Sequence, residues 1–336
     1  MKPTVIVVMT LLLLAGLAFA QASAAQQPAA QQPAAQQPAA PAAAQPAKKG
    51  PPMAKTQDEF KAYTAAAQKQ QGQPATGQSC PAGQLPQMGA AGLTCFDLGT
   101  LPAAEAAADQ FVAQYPQSDL RVLLYQSLMN LYQSANNGDK VVEIGRKVVA
   151  MDADNSISLV MIATVLAERT RDTDLDKDER LAEAIKDAKH ALETMDNLSI
   201  PPGTPPDRVL AAKSTISSMA YGALGTVATI QQNWPEAEQQ LRKSVEAPGI
   251  NPDPLTMLRL CITLDHLKKY AEALQMANQT VETATRFGQT AVQQLAQQER
   301  DRLVKLTAGP PPAAAPPAAA APTPPAAPPA KPPQEF

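Results

Sequence analysis

The chain of 336 residues is poor in the side chains that carry most enzyme chemistry, with two histidines, three cysteines and one tryptophan. Cys261 and His266 are five positions apart, so on one helix they would point to different sides and would not form a nucleophile and base pair. The sequence also contains neither a glycine-rich phosphate loop nor a serine nucleophile elbow. We therefore expect no enzyme activity, no catalytic residue and no cofactor.

Clustered positive charge is also scarce. The formal net charge is −3, and no basic run is longer than the pairs Lys48-Lys49 and Lys268-Lys269. Nucleic acids and anionic membrane surfaces are bound through a concentrated basic footprint, which this sequence does not have. We therefore expect neither as a partner.

Residues 1–24 have the pattern of a secretory signal peptide. Lys2 precedes an apolar run from Val5 to Leu14, and small residues suited to cleavage follow that run. An uncleaved membrane anchor is the alternative, although the run is shorter than the roughly 20 residues of a spanning helix. Because the first cysteine is Cys80, lipid attachment at a new N-terminal cysteine is excluded, and we expect a periplasmic or secreted protein.

Low-complexity sequence follows the signal segment and recurs at the other end of the chain. Residues 25–55 contain QQPAA repeats, and residues 309–336 are almost entirely proline and alanine. Neither segment has enough apolar side-chain area to offset the entropy lost on ordering. We expect both to be disordered, with the extended preference of proline-dense chain, and to act as spacers.

Residues 56–100 are interpreted as a short helix followed by a cysteine-containing loop. Cys80 and Cys95 flank a segment rich in glycine, proline and glutamine, and in an oxidising compartment they are predicted to form a disulfide. Cys261 lies in an apolar helical pattern and is expected to be a buried small hydrophobic residue, with an intermolecular bond as the alternative.

Residues 101–308 are predicted to be all α-helical, because apolar residues recur there every three or four positions. The repeated unit is a pair of helices. Its clearest copy has Tyr221-x-x-Leu224-Gly225-x-x-Ala228 on the first helix, a turn at Trp234-Pro235, and Ala237-x-x-x-Leu241 on the second helix. The small residues Gly225 and Ala237 would allow the two helices to approach closely.

Three further units have the same spacing with weaker residues, beginning at Tyr125, Leu159 and Met257. Leu159 lies 34 residues after Tyr125. This pattern and period resemble the tetratricopeptide repeat (TPR) family, in its exported bacterial form. The resemblance implies an α-α superhelix, a TPR-like solenoid. Met129 and Cys261 depart from the family's small residue, so the packing of those pairs is expected to differ.

The resemblance also implies a binding surface, because members of this family bind protein or peptide segments along the concave face formed by the first helices. Matching positions along the four first helices give the candidate residues Gln126, Asn130, Gln133, Val160, Thr164, Thr226, Thr229, Ile262 and Asp265. These side chains are neutral polar or apolar, with one exception. The alternative is that some of them pack against the neighbouring helix.

One acidic run has the ligand order of a calcium-binding loop, with carboxylates at Asp172, Asp174, Asp176 and Asp178 and a later one at Glu183. Lys177 stands where the sharp turn of such a loop requires glycine. The alternative is an acidic loop that stabilises the N-terminus of the following helix. We interpret the run as this second case and expect no metal site.

These observations predict an extracytoplasmic scaffold or adaptor that binds another protein or peptide through the concave face of the solenoid. A different hypothesis makes the protein a structural spacer of the cell envelope, or a self-associating protein, whose Pro/Ala tails carry the interaction. Neither hypothesis specifies the partner, the oligomeric state or the biological process, since one repeat scaffold supports many functions.

Overall fold

The computed structural model describes residues 50–75, 79–89, 92–201 and 203–307, so the predicted signal segment, residues 25–49 and the tail at 309–336 lie outside the described residues. The described residues form eleven α-helices and three short strands. The helices are α1 Gln57–Gln68, α2 Leu101–Gln114, α3 Leu120–Ser134, α4 Gly138–Met151, α5 Ser156–Arg169, α6 Lys177–Thr194, α7 Pro206–Ile230, α8 Trp234–Val245, α9 Pro254–His266, α10 Tyr270–Arg286 and α11 Thr290–Thr307. None of these helices is both long and apolar enough to cross a membrane.

Helices α3 to α10 form four consecutive helix pairs that stack on one another, as the repeat pattern predicts. Within each pair the two helices pack together, and each second helix then packs against the first helix of the next pair. The first helix α5 also packs directly on the first helix α7. Helix α11 covers α10 and α9, which closes the apolar end of the stack. The repeat region is therefore an all-α helical solenoid.

Three of the pairs turn in the same way between their two helices. Asn136, Gln232 and Lys268 each adopt a left-handed conformation, with φ of 58°, 57° and 60°. In each turn the next residue donates its N–H to the carbonyl five positions earlier, as Asn137 does to Tyr132 at 2.9 Å. This hydrogen bond satisfies a carbonyl that the end of the helix would leave without a partner. The shared turn identifies the helix pair as the structural repeat.

The four pairs differ in which helix supplies the small residue at the point of close approach. In the third pair the residue is Gly225 on the first helix, where an added Cβ would lie 2.6 Å from Cγ of Leu241. In the first pair the arrangement is reversed, since Met129 lies on the first helix and Gly145 on the second. A Cβ at Gly145 would lie 2.9 Å from Cε of Met129. The departure at Met129 is therefore matched by a glycine on the partner helix.

A pair of helices precedes the first recognised repeat. Helix α1 packs against α2 and α3, as a first helix would. Two hydrogen bonds then join α2 to α3, because Tyr125 donates to Asp109 at 2.5 Å and Tyr132 donates to Glu105. Lys140 of α4 also lies 3.0 Å from Glu105, so this carboxylate connects three consecutive helices.

A small antiparallel sheet lies between α1 and α2, where the sequence analysis expected a loop. The strands are β1 Gln73–Pro74, β2 Gln84–Gly89 and β3 Gly92–Asp97, in the order β1-β3-β2. Cys80 and Cys95 are joined by a disulfide, as predicted. Phe96 of β3 is fully buried in the core that α1 and α2 share, and this contact provides the apolar anchor that a short sheet needs.

In the first and third pairs the small and the large residue occupy opposite helices. We therefore predict that substitutions at Gly225 and Leu241 have non-additive effects on stability. We expect Gly225→Met alone to destabilise the protein by roughly 1–3 kcal/mol through overpacking, and Leu241→Gly alone to cost more because it leaves a cavity. The double variant reproduces the arrangement of Met129 and Gly145. Its loss of unfolding free energy, measured by urea denaturation, should therefore be at least about 1 kcal/mol smaller than the sum of the losses in the two single variants. Gly225→Met combined with Leu181→Gly, a buried change in another pair, is the additive control. Additive losses in both combinations would contradict the proposed matching.

Candidate functional site

The candidate site is the exposed side of α3, α5, α7 and α9, which we call the first-helix face. Three of the nine predicted residues are not available there, since Gln126, Val160 and Thr226 are only 8%, 1% and 6% exposed. Gln126 donates to the side chain of Asn155 at 2.8 Å, and Thr226 donates to the carbonyl of Gly222. These three side chains pack within the solenoid and are not part of the candidate binding surface.

The other six predicted residues, Asn130, Gln133, Thr164, Thr229, Ile262 and Asp265, remain partly or fully accessible. Thr164 and Thr229 each donate their hydroxyl to a carbonyl of their own helix at 2.8 Å. Asp265 forms an ion pair with Arg302 at 2.5 Å, so its charge is already matched.

Unused hydrogen-bonding capacity on the first-helix face is concentrated on α3. Among the described residues, no hydrogen-bond partner is found for the side-chain amides of Asn130 and Gln133. Each amide offers donors and an acceptor to a bound molecule. At the far end of the face Ile262 is 36% exposed, which adds an apolar contact. The face therefore combines uncharged hydrogen-bonding groups with exposed apolar surface.

An ion pair that the sequence did not reveal crosses this face. Arg259 of α9 lies 3.2 Å from Glu168 at the end of α5, although α7 lies between these two helices in the stack. The two residues are 91 positions apart and belong to pairs that are not adjacent, so no local spacing connects them. Their contact shows that the side chains of α5 and α9 converge over α7.

The five carboxylates of the calcium-like run do not converge. Asp172 pairs with Lys177 at 2.8 Å, Asp174 accepts the backbone N–H of Arg171, and Glu183 binds Arg146 instead. Asp176 lies 3.9 Å from Arg180, and Asp178 lies in the first turn of α6. Helix α6 begins at Lys177, inside the span where a calcium loop would still have to turn, and this explains why the ligand order produces no shared site.

Two further depressions are found in the described residues, one away from the first-helix face and one at its edge. The first, of about 540 Å³, lies between α4, α5 and α6 and is lined in part by Arg146, Glu183 and Asp187. Arg146 donates two hydrogen bonds to Glu183, at 2.9 and 2.6 Å. Burial raises the pKa of Asp187 to about 6, and the negative charge of Glu183 adds to this effect.

The second depression, of about 700 Å³, lies where the C-terminal ends of α5, α7 and α9 meet, and we call it the rim cleft. Trp234 and His266 lie in it with their rings stacked, 3.8 Å between centroids and 4° from parallel. Arg171, Thr229 and Gln232 also line the cleft. In the sequence Trp234 marks only a turn, because nothing in the local pattern pairs it with a residue of the next repeat.

Comparison with known proteins finds a distant structural likeness. No family model matches the chain, and no curated protein matches it. Among solved structures, the chain is similar to the Assembly Chaperone of RpL4 (Acl4), residues 1–338, with 13% sequence identity and a TM-score of 0.34. That similarity covers 62% of this chain and 93% of the chaperone chain.

The raised pKa of Asp187 predicts a pH dependence of stability. Because the folded state favours the protonated carboxyl, this residue contributes most stability below its ordinary pKa of 3.8, and the contribution is lost as the pH rises through about 6. We expect Asp187→Asn to raise the melting temperature at pH 7.5 by roughly 2–6 °C and to have little effect at pH 4. Asp178→Asn, an exposed change on the same helix, is the control. An equal shift at both pH values would contradict this assignment.

Proposed function

We propose that this protein is an exported, non-enzymatic scaffold of the tetratricopeptide type that binds a protein or peptide through its first-helix face. The stacked helix pairs with a common turn support the family assignment. The observation that carries the binding role is the set of unpaired amides at Asn130 and Gln133 together with exposed Ile262, since solvent-facing groups on a rigid scaffold contribute little to its stability.

The chemistry of the face favours an uncharged ligand segment. Three accessible charged groups of the face, Glu168, Arg259 and Asp265, are each already in an ion pair. These three groups offer a charged ligand no unpaired partner, whereas backbone amides and carbonyls of an extended peptide can bond to Asn130 and Gln133 directly. We therefore propose a neutral, partly apolar peptide segment as the ligand.

The proposed location is the periplasm or the outside of the cell. The disulfide between Cys80 and Cys95 is compatible with an oxidising compartment, where such bonds form and persist. The predicted signal segment is the main support for export.

The first test targets the two ends of the first-helix face. We expect Asn130→Arg with Ile262→Arg to abolish retention of a partner from an envelope fraction, because both changes place charge and bulk where the ligand would lie. Gln239→Arg with Gln279→Arg, at exposed positions on the second helices α8 and α10, is the matched control. The readout is affinity capture followed by titration of the purified partner. Equal retention by both double variants would refute the proposed face.

A second test uses the ion pair between Arg259 and Glu168. A ligand lying along the face has to break this pair, and a half-exposed ion pair is worth about 0.2–1 kcal/mol. Glu168→Ala should therefore lower the Kd for the partner by roughly 1.4- to 5-fold, and loss of the same ion pair should lower the melting temperature by no more than about 4 °C. Glu236→Ala, a carboxylate change on α8 away from the face, should leave the Kd unchanged. An unchanged Kd in Glu168→Ala would show that the ligand does not break this pair, and a weaker complex would show that Glu168 itself binds the ligand; either result contradicts this prediction.

A further inference from the structure

The rim cleft contains an aromatic surface with nothing of the described fold above it. Trp234 is the first residue of α8 and is half-buried, whereas His266 ends α9 and is exposed. Their stacking joins two consecutive repeats, and because each ring covers one face of the other, the stack presents mainly the exposed ring of His266 to solvent. Flat aromatic surfaces of this kind favour proline rings, which are apolar and lose little conformational entropy when bound.

Two hydrogen-bond donors beside the aromatic pair have no partner among the described residues. They are the guanidinium of Arg171 and the side-chain amide of Gln232, and both residues are exposed. Polyproline II chain leaves its backbone carbonyls without internal partners. A proline-rich strand in the cleft would therefore supply the acceptors that these two donors require.

The C-terminal tail of the chain leaves the fold close to this cleft. Arg302 of α11 lies 2.5 Å from Asp265, which directly precedes His266. Leu303 is buried in the same apolar cluster as Leu264, so the end of α11 is held against the end of α9. Helix α11 ends at Thr307, which is about 7.5 Å along the helix axis beyond Arg302.

The tail also has suitable chemistry and length. Residues 309–330 contain no charged side chain, and prolines recur in them at 310–312, 316–317, 322, 324–325 and 328–329. In polyproline II form each residue advances the chain by about 3.1 Å, so this segment can extend up to about 70 Å. Attachment to the same chain gives it an effective concentration in the cleft of the order of millimolar.

The other proline-rich segment is less well placed. Residues 25–49 precede Gly50, whose carbonyl accepts a hydrogen bond from Ser199 at 3.4 Å. Ser199 lies before α7, at the N-terminal end of that helix, whereas the rim cleft lies at the C-terminal ends of the first helices. This segment also places glutamines between its prolines. The position and the composition therefore both favour the C-terminal tail.

We propose that the Pro/Ala tail of the same chain, residues 309–330, binds in the rim cleft in polyproline II form. Its prolines lie on the stacked rings of Trp234 and His266, and its carbonyls accept hydrogen bonds from Gln232 and Arg171. The tail thereby covers the edge of the solenoid next to the first-helix face. This interaction is independent of whether the first-helix face binds a partner.

Trp234 is the only tryptophan of the chain, so its fluorescence reports on the rim cleft directly. We would measure acrylamide quenching of the full chain and of a full-length variant in which the tail prolines between 310 and 329 are replaced by serine. The variant keeps the tail length and leaves the described fold unchanged. We expect its quenching constant to be at least about twofold higher, because the uncovered ring becomes accessible to the quencher.

Two controls make this result specific. Replacing the prolines of residues 25–49 by serine should leave the quenching constant unchanged. In a His266→Ala background, where the aromatic surface is incomplete, the tail substitutions should no longer change the quenching. The protection of Trp234 from acrylamide should also be the same at 1 and 100 µM protein, as expected for binding within one chain.

Three outcomes would overturn the proposal. Equal quenching of the wild-type chain and the tail variant would show that the tail does not cover Trp234. Increased quenching only in the variant of residues 25–49 would assign the cleft to the N-terminal linker. Protection that appears only at the higher protein concentration would assign it to the tail of a second copy.

Discussion

The close approach of the two helices in each pair is the constraint on which the rest of the solenoid depends. At Gly225 and at Gly145 even one additional carbon would collide with a large side chain of the facing helix. Interiors packed at this density tolerate exchange of volume between facing positions but not its net addition. One repeat can therefore place its small residue on the first helix and another on the second, while the helix pair keeps the same turn and the same stacking.

The packing between pairs determines which side chains remain for function. Packing of the helix pairs buries Gln126, Val160 and Thr226, and the side chains of Gln126 and Thr226 form hydrogen bonds within the scaffold. Asn130 and Ile262 lie outside these contacts, since their positions turn away from the neighbouring helix. The binding surface is thus the part of each first helix that stacking leaves uncovered.

Polar and aromatic contacts between particular residues help to fix how the helix pairs are placed, because the apolar packing is similar from one repeat to the next. Glu105 connects α2, α3 and α4 through Tyr132 and Lys140, and these hydrogen bonds outweigh its burial, so its pKa is held below the usual value. Arg259 and Glu168 connect α5 to α9. Trp234 stacks on His266 of the following repeat. Each contact joins residues from different pairs and so fixes how the pairs are placed relative to one another.

The sequence by itself determined the helix pairs and the disulfide, because both are marked locally. Apolar spacing at three and four residues specifies which side of a helix is buried, and the cysteines at 80 and 95 are the two that a short loop can join. The small sheet was not foreseen, since β2 and β3 are short and their main apolar anchor, Phe96, is packed by helices elsewhere in the chain.

Only the tertiary structure decided which candidate residues are accessible and which distant residues meet. Gln126 and Asn130 are equally polar and lie four positions apart on one helix, yet Gln126 is buried against the N-terminus of α5 and Asn130 remains partly exposed. The acidic run at 172–178 has the right order for calcium, but the start of α6 within it separates the ligands. Which side chains are exposed, and which distant residues meet, depends on how the helix pairs stack in three dimensions. The spacing of residues along the sequence does not contain that information.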